Sequence, residues 1–106
     1  MIHVHSLFSG IPLTSMEEVF TTLFEKPGLK IERITSHGQA SPDGFWYDQP
    51  SDEWVLLVRG SATIEWVDQP ALTLHPGDHL TIPSHTRHRV VQTSHDALWL
   101  AVHVDG

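Results

Sequence analysis

The chain has 106 residues, 40% of them hydrophobic, and a formal charge of −7 with histidine neutral. This is enough chain for one domain with a single packed core, and too apolar for a disordered segment. Only six lysines and arginines are present, without a cluster, which argues against a nucleic-acid or acidic-lipid surface. The absence of cysteine excludes disulfides, thiolate catalysis and cysteine-ligated zinc.

The start, MIHVHSLFSG, lacks a basic region followed by a long apolar run, and no stretch reaches the roughly 20 apolar residues of a membrane helix. A cytoplasmic protein is the expectation. Nine histidines make the net charge responsive to pH near neutrality.

Residues 1–14 are mixed and punctuated by Pro and Gly. In SMEEVFTTLFEKPG, Ser15 has the character of an N-cap, with Glu18 as its capping-box partner. Met16, Val19, Phe20, Leu23 and Phe24 recur at helical spacing, which predicts a short helix stopped by Lys26-Pro27-Gly28. Residues 1–29 therefore read as an arm and helix packed on a body formed by residues 30–106.

From residue 29 the period changes. LKIERITS alternates, EWVLLVRG is an apolar run ending in Gly, and SATIEWVD alternates up to a turn at Asp68-Gln69-Pro70. ALTLH, the turn PGD, HLTIP, RHRVVQT and ALWLAVHV follow. Six or seven short strands with turn residues between them predict an all-β sandwich or barrel. Strands without intervening helices do not suit a parallel α/β sheet.

Two punctuated strand pairs stand out. In the first, Glu53 is followed by six residues and Gly60. In the second, GDHLTIPSHTRHRV, Gly77 is followed by five residues, Pro83, one residue, His85, two residues and His88. With sixteen residues between Gly60 and Gly77, this arrangement resembles the cupin family over about residues 30–104. The second cupin motif has Gly where this chain has His85.

The resemblance implies a small jelly-roll barrel, commonly a homodimer, with a mouth able to enclose a small molecule. It also implies a divalent metal, Fe, Mn, Ni or Zn, with Glu53 and His88 as ligands. The family's His-x-His pair has no counterpart. Depending on the gap before Glu53, its places fall on Tyr47 and Gln49 or on Trp46 and Asp48. Strand parity puts Tyr47, Gln49 and Glu53 on one face if the strand runs straight through Pro50, whereas a bulge there favours Asp48. Asp48 and Gln49 are thus alternative oxygen donors, and Tyr47 and His85 are candidate catalytic residues.

Other features have plainer readings. His3 and His5 lie too far upstream to complete the site and suit an arm. His37 lies at a strand-to-loop change. His75, His95 and His103 read as turn or strand-surface residues, and Arg87 and Arg89 as surface or dimer residues. Trp54, Trp66 and Trp99 alternate with core positions, while Trp46 and Tyr47 could wall a pocket. Three functions follow. One is a metal-dependent enzyme. Another is metal-free acid–base chemistry with His88 as base and Glu53 or Tyr47 as acid. The last is a noncatalytic small-molecule binding module.

Overall fold

The structure, a computed structural model, describes residues 1–105. Eight strands form two sheets: β1 (Val19–Lys26), β2 (Leu29–Thr35), β3 (Asp52–Arg59), β4 (Ala62–Trp66), β5 (Gln69–Leu74), β6 (His79–Ile82), β7 (His88–Thr93) and β8 (Leu98–Val104). The larger sheet runs β1-β2-β8-β3-β6 and the smaller β5-β4-β7. All the pairings are antiparallel. The architecture is all-β, two antiparallel sheets, in keeping with the barrel that the resemblance implies. No helix among the described residues is long and apolar enough to cross a membrane.

The alternation in the sequence becomes the division between inside and outside. In β3, Glu53, Val55 and Leu57 are buried, and in β4 so are Ala62, Ile64 and Trp66. These side chains meet Leu74, Ile82, Trp99 and Ala101 between the sheets. Leu57 and Leu98 are wholly inaccessible to solvent, and complete burial of each contributes about 1.5–3 kcal/mol.

The helix predicted after Ser15 does not form; Val19–Lys26 is strand β1. Val19, Phe20, Thr21, Thr22 and Phe24 are β-branched or aromatic and favour a pleated strand, and pairing along the whole of β2 outweighs the helical spacing of the apolar residues. The supposed stop, Pro27-Gly28, is the hairpin turn between Lys26 and Leu29, which face each other across the ladder. Pro fixes the first turn residue, and Gly28 at φ 81° supplies the left-handed second residue of a type II turn. Ser15 does not cap a helix: its Oγ accepts from Glu17 N at 3.2 Å, and Glu18 accepts from Ser36 Oγ at 2.7 Å. The turn expected at Asp68-Gln69-Pro70 falls at Val67-Asp68, with Gln69 and Pro70 already in β5.

The N-terminal arm crosses the outer face of the large sheet. Arg33, opposite in parity to Glu32, donates from Nη1 to the carbonyls of Leu7 and Ser9 at 3.0 and 2.7 Å. His3 and His5 are exposed.

Candidate active site

His88 opens β7 and is 5% exposed. Its backbone exchanges two hydrogen bonds with Tyr47, at 2.7 and 3.1 Å, and the two rings stack with centroids 5.4 Å apart. This bridge carries the segment before β3 across to the small sheet. Thr86 C=O accepts from His88 Nδ1 at 2.8 Å. A carbonyl can only accept, so Nδ1 carries the proton and the Nε2 lone pair is left facing inward.

Across from Nε2 stands Glu53, 7% exposed, with Oε1 at 3.9 Å. The other carboxyl oxygen of Glu53 lies 3.8 Å from His103 Nε2. Both distances exceed hydrogen-bond length, so the buried Glu53 carboxyl has no bonded partner among the described residues. His103 Nε2 bonds instead to Glu32 Oε1 at 2.8 Å, and Lys30 Nζ approaches the other Glu32 oxygen at 3.5 Å.

These groups line a cavity of about 90 Å³ between the sheets. Tyr47, Gln49 and Glu18 add polar atoms. Ile34, Val55, Ile64, Ile82, Val90 and Trp99 form much of the apolar wall. Glu18 and Ser36 Oγ share a hydrogen bond, and Trp99 Nε1 donates to the same Ser36 at 3.3 Å. Burial raises the pKa of Glu53 above the ordinary 4.5; His103 and His88 pull it down, Glu32 pushes it up, and the net is a rise. Burial, together with Glu18 and Glu53, likewise raises that of Tyr47 and keeps it a phenol.

The chain runs through Pro50 so that Tyr47 and Gln49, not Trp46 and Asp48, line the cavity. Asp48 lies outside, about half exposed, with Oδ1 2.7 Å from His85 Nδ1. His85 is therefore also outside. Its φ of 57° is the one positive value for a residue other than Gly among the described residues. Thr86 N bonds to Pro83 O at 3.2 Å, and His85 takes the third turn position, where a left-handed residue is required. Histidine at the motif's usual glycine position therefore costs about 1 kcal/mol of strain. The exposed pair with Asp48 offsets at most about that much. His85→Gly is expected to be about 1 kcal/mol more stable than His85→Ala in chemical denaturation, because both lose the pair and only glycine relieves the φ.

His103 and Glu32 were not expected here. His103 is a wall of the cavity rather than a strand-surface residue. The signal lay in β8: Ala97, Trp99, Ala101 and His103 share one parity, and the first three are core positions. In the ladders Glu32 pairs with Ala101, and Glu53 pairs with His103. His37 does not reach the cavity; its Nε2 is 3.0 Å from Pro12 O. His79 stacks obliquely on Trp54 at the outside, and Arg89 donates to Ser41 O at 3.1 Å.

The raised pKa of Glu53 has a thermodynamic consequence. Above pH 4.5 the unfolded chain gives up this proton before the folded one does, so the group's contribution to stability falls as pH rises through the window. Glu53→Gln, which keeps the shape and removes the titration, is expected to gain melting temperature relative to the parent between about pH 4 and pH 7. Melting curves at the two pH values check this; an unchanged difference contradicts it.

A family profile described as the cupin domain matches residues 34–103. The chain belongs to the cupin family. Its fold is also that of a structure from Ralstonia eutropha JMP134, provisionally named a mannose-6-phosphate isomerase, with TM-score 0.95 and 49% identity over 99% of this chain and 100% of that one. A cupin superfamily protein from Desulfitobacterium hafniense DCB-2 superposes with TM-score 0.77 at 20% identity, covering 91% of this chain and 84% of that one. KdgF from Halomonas sp. gives 0.72 at 21%, covering 88% and 86%. These last two likenesses show the fold alone. Among curated proteins none matches the sequence.

Cupins often bind metals, and the donor set here can be tested against that. The unengaged strong donors are His88 Nε2 and the Glu53 carboxyl. His103 Nε2 is held by Glu32, and Asp48 is outside with His85. Catalytic metals are commonly held by three protein ligands. No group of three His, Cys, Asp or Glu side chains among the described residues is arranged to hold one. As arranged, the side chains do not fit a resident divalent ion.

Proposed function

We propose that this cupin catalyses proton transfer between adjacent carbons of a small hydroxy-carbonyl compound, with His88 as base and Glu53 as acid. The observation that carries the reading is the pairing of an imidazole nitrogen, bare and aimed inward, with a buried carboxyl that has no hydrogen-bond partner. A buried carboxyl with a raised pKa that faces an imidazole across a cavity marks a site for chemistry. The name given to the Ralstonia eutropha protein, an isomerase, agrees with this class of reaction.

The step balances without a co-reactant. His88 Nε2 takes the proton from the hydroxyl-bearing carbon as that C–H bond breaks. The electron pair forms the C=C bond of an enediol, and the carbonyl oxygen takes the proton of Glu53. In the return, His88 gives its proton to the former carbonyl carbon. The other hydroxyl gives its proton to the Glu53 carboxylate as the new C=O forms. Tyr47, held as a phenol, stacks on the His88 ring and keeps its plane fixed. The apolar wall of Ile34, Val55, Ile64, Ile82, Val90 and Trp99 lies against the carbon atoms of the enediol.

The test is proton NMR of glyceraldehyde and dihydroxyacetone in D₂O with the purified protein. The reading expects deuterium to enter at the carbon beside the carbonyl faster than in buffer, with the two compounds interconverting. No exchange above buffer with any hydroxy-carbonyl compound that enters the cavity contradicts it.

A further inference from the structure

The charges around the cavity point to its substrate class, an inference that rests on the proton-transfer reading of the same site. Two carboxylates besides the acid Glu53 line it, Glu18 and Glu32, and no lysine or arginine does.

All six basic side chains are accounted for elsewhere. Arg33 is tied to the N-terminal arm by Leu7 and Ser9, and Arg59 donates to Asp96 O at 2.9 Å. Arg89 is held by Ser41 outside the cavity, and Arg87 is exposed. Lys26 and Lys30 line an adjoining outer groove, with Lys30 reaching Glu32 from there. Glu32, Gln49 and His103 border both spaces. The fold also offers no helix N-terminus, the other common source of anion binding, among the described residues.

An anionic group entering the cavity would thus meet Glu18 and Glu32 with no lysine or arginine in the lining to offset them. Hydroxyl groups meet the opposite situation. Glu18, Glu32 and Gln49 offer acceptor oxygens, and Trp99 and Ile34 offer an apolar face for carbon. His88 Nε2 and Glu53, both more than nine-tenths buried and unbonded, converge where a reacting carbonyl would sit. The volume, about 90 Å³, holds on the order of six water-sized groups. We infer that the cavity takes an uncharged, unphosphorylated hydroxy-carbonyl compound of about this size and rejects its phosphate ester. This departs from the phosphorylated sugar in the name of the Ralstonia eutropha protein.

The experiment is a paired titration of the full chain with glyceraldehyde and glyceraldehyde 3-phosphate. Binding is followed by the Trp99 indole N–H resonance, and deuterium uptake is followed in the same samples. A Trp99→Phe variant assigns the resonance. The expected result is a saturable shift with glyceraldehyde and binding about ten-fold or more weaker with its phosphate. In Glu18→Gln the phosphate is expected to bind more tightly than in the parent, since one repelling charge is gone. Tighter binding of the phosphate to the parent, with exchange, overturns the substrate class and leaves the proton-transfer reading standing. Binding of glyceraldehyde without exchange upholds the substrate class and removes the proton-transfer reading. A Trp99 resonance unmoved by either compound overturns the substrate class.

Discussion

His88→Gln is expected to lower deuterium exchange into glyceraldehyde by about 10²–10⁴-fold, the range over which a positioned general base acts. The replacement is close in volume, and its amide NH2 can still donate to Thr86 C=O, so the β7 start and the Tyr47 bridge are expected to persist. What it cannot do is accept a proton at neutral pH. Melting temperature and the Tyr47 environment are therefore expected to change little while exchange collapses. A variant that unfolds while residual folded protein exchanges normally would make His88 a packing residue, with its imidazole serving the strand start alone.

The second large effect concerns stability. Gly60, at the end of the first motif, has φ 83°. A Cβ built there would lie 2.9 Å from Ala97 Cα and 3.0 Å from Ala97 N, and would also collide with Ser94 Oγ. Ser94 is not free to move away: its Oγ accepts from Ser61 N at 2.9 Å, and its N donates to Ser61 O at 2.9 Å. Ala97 and Leu98 beside it are buried in the core. Gly60→Ala thus combines a left-handed backbone with a clash against fixed main chain, and is expected to cost about 3 kcal/mol. For a domain of this size that is a loss on the order of 15 °C in melting temperature. By contrast, a Cβ at Gly77 meets nothing within 4 Å and strains only φ, so Gly77→Ala is the control, with a smaller loss. Equal losses at the two positions would remove the close approach as the cause.

The contrast between these glycines shows what the sequence can and cannot carry. Glu53-x6-Gly60 and Gly77-x5-Pro83 are local spacings, and they coincide with β3, the β5–β6 turn and the approach to β7. The alternation of EWVLLVRG and SATIEWVD became the core face, because each strand buries one side against the facing sheet. The β1 segment misled because its apolar residues fit a helical stripe. Its fate was settled by a ladder to β2, a pairing that spacing within the segment does not encode.

The site divides in the same way. His88 and Glu53 sit at motif positions, and their meeting was legible. The choice between Gln49 and Asp48 turned on the path through Pro50, one residue of register, which parity alone left open. Glu32 and His103 come from β2 and β8, seventy-one residues apart, and meet only because β8 lies between β2 and β3 in the sheet. The parity of His103 with Trp99 and Ala101 was visible, but its destination depended on that strand order. His85 marks the opposite case: its departure from the motif signalled a strained turn outside the cavity, not an extra imidazole within it.

The most direct test of the central claim, that His88 and Glu53 transfer protons with the side chains arranged as they are, is the exchange rate of chelator-treated protein whose metal content has been measured. The account predicts that deuterium uptake into glyceraldehyde persists in metal-stripped protein and is unchanged when Fe, Mn, Ni or Zn is added back. Loss of exchange on stripping, with recovery on adding one of these ions, would contradict it and make Glu53 and His88 metal ligands.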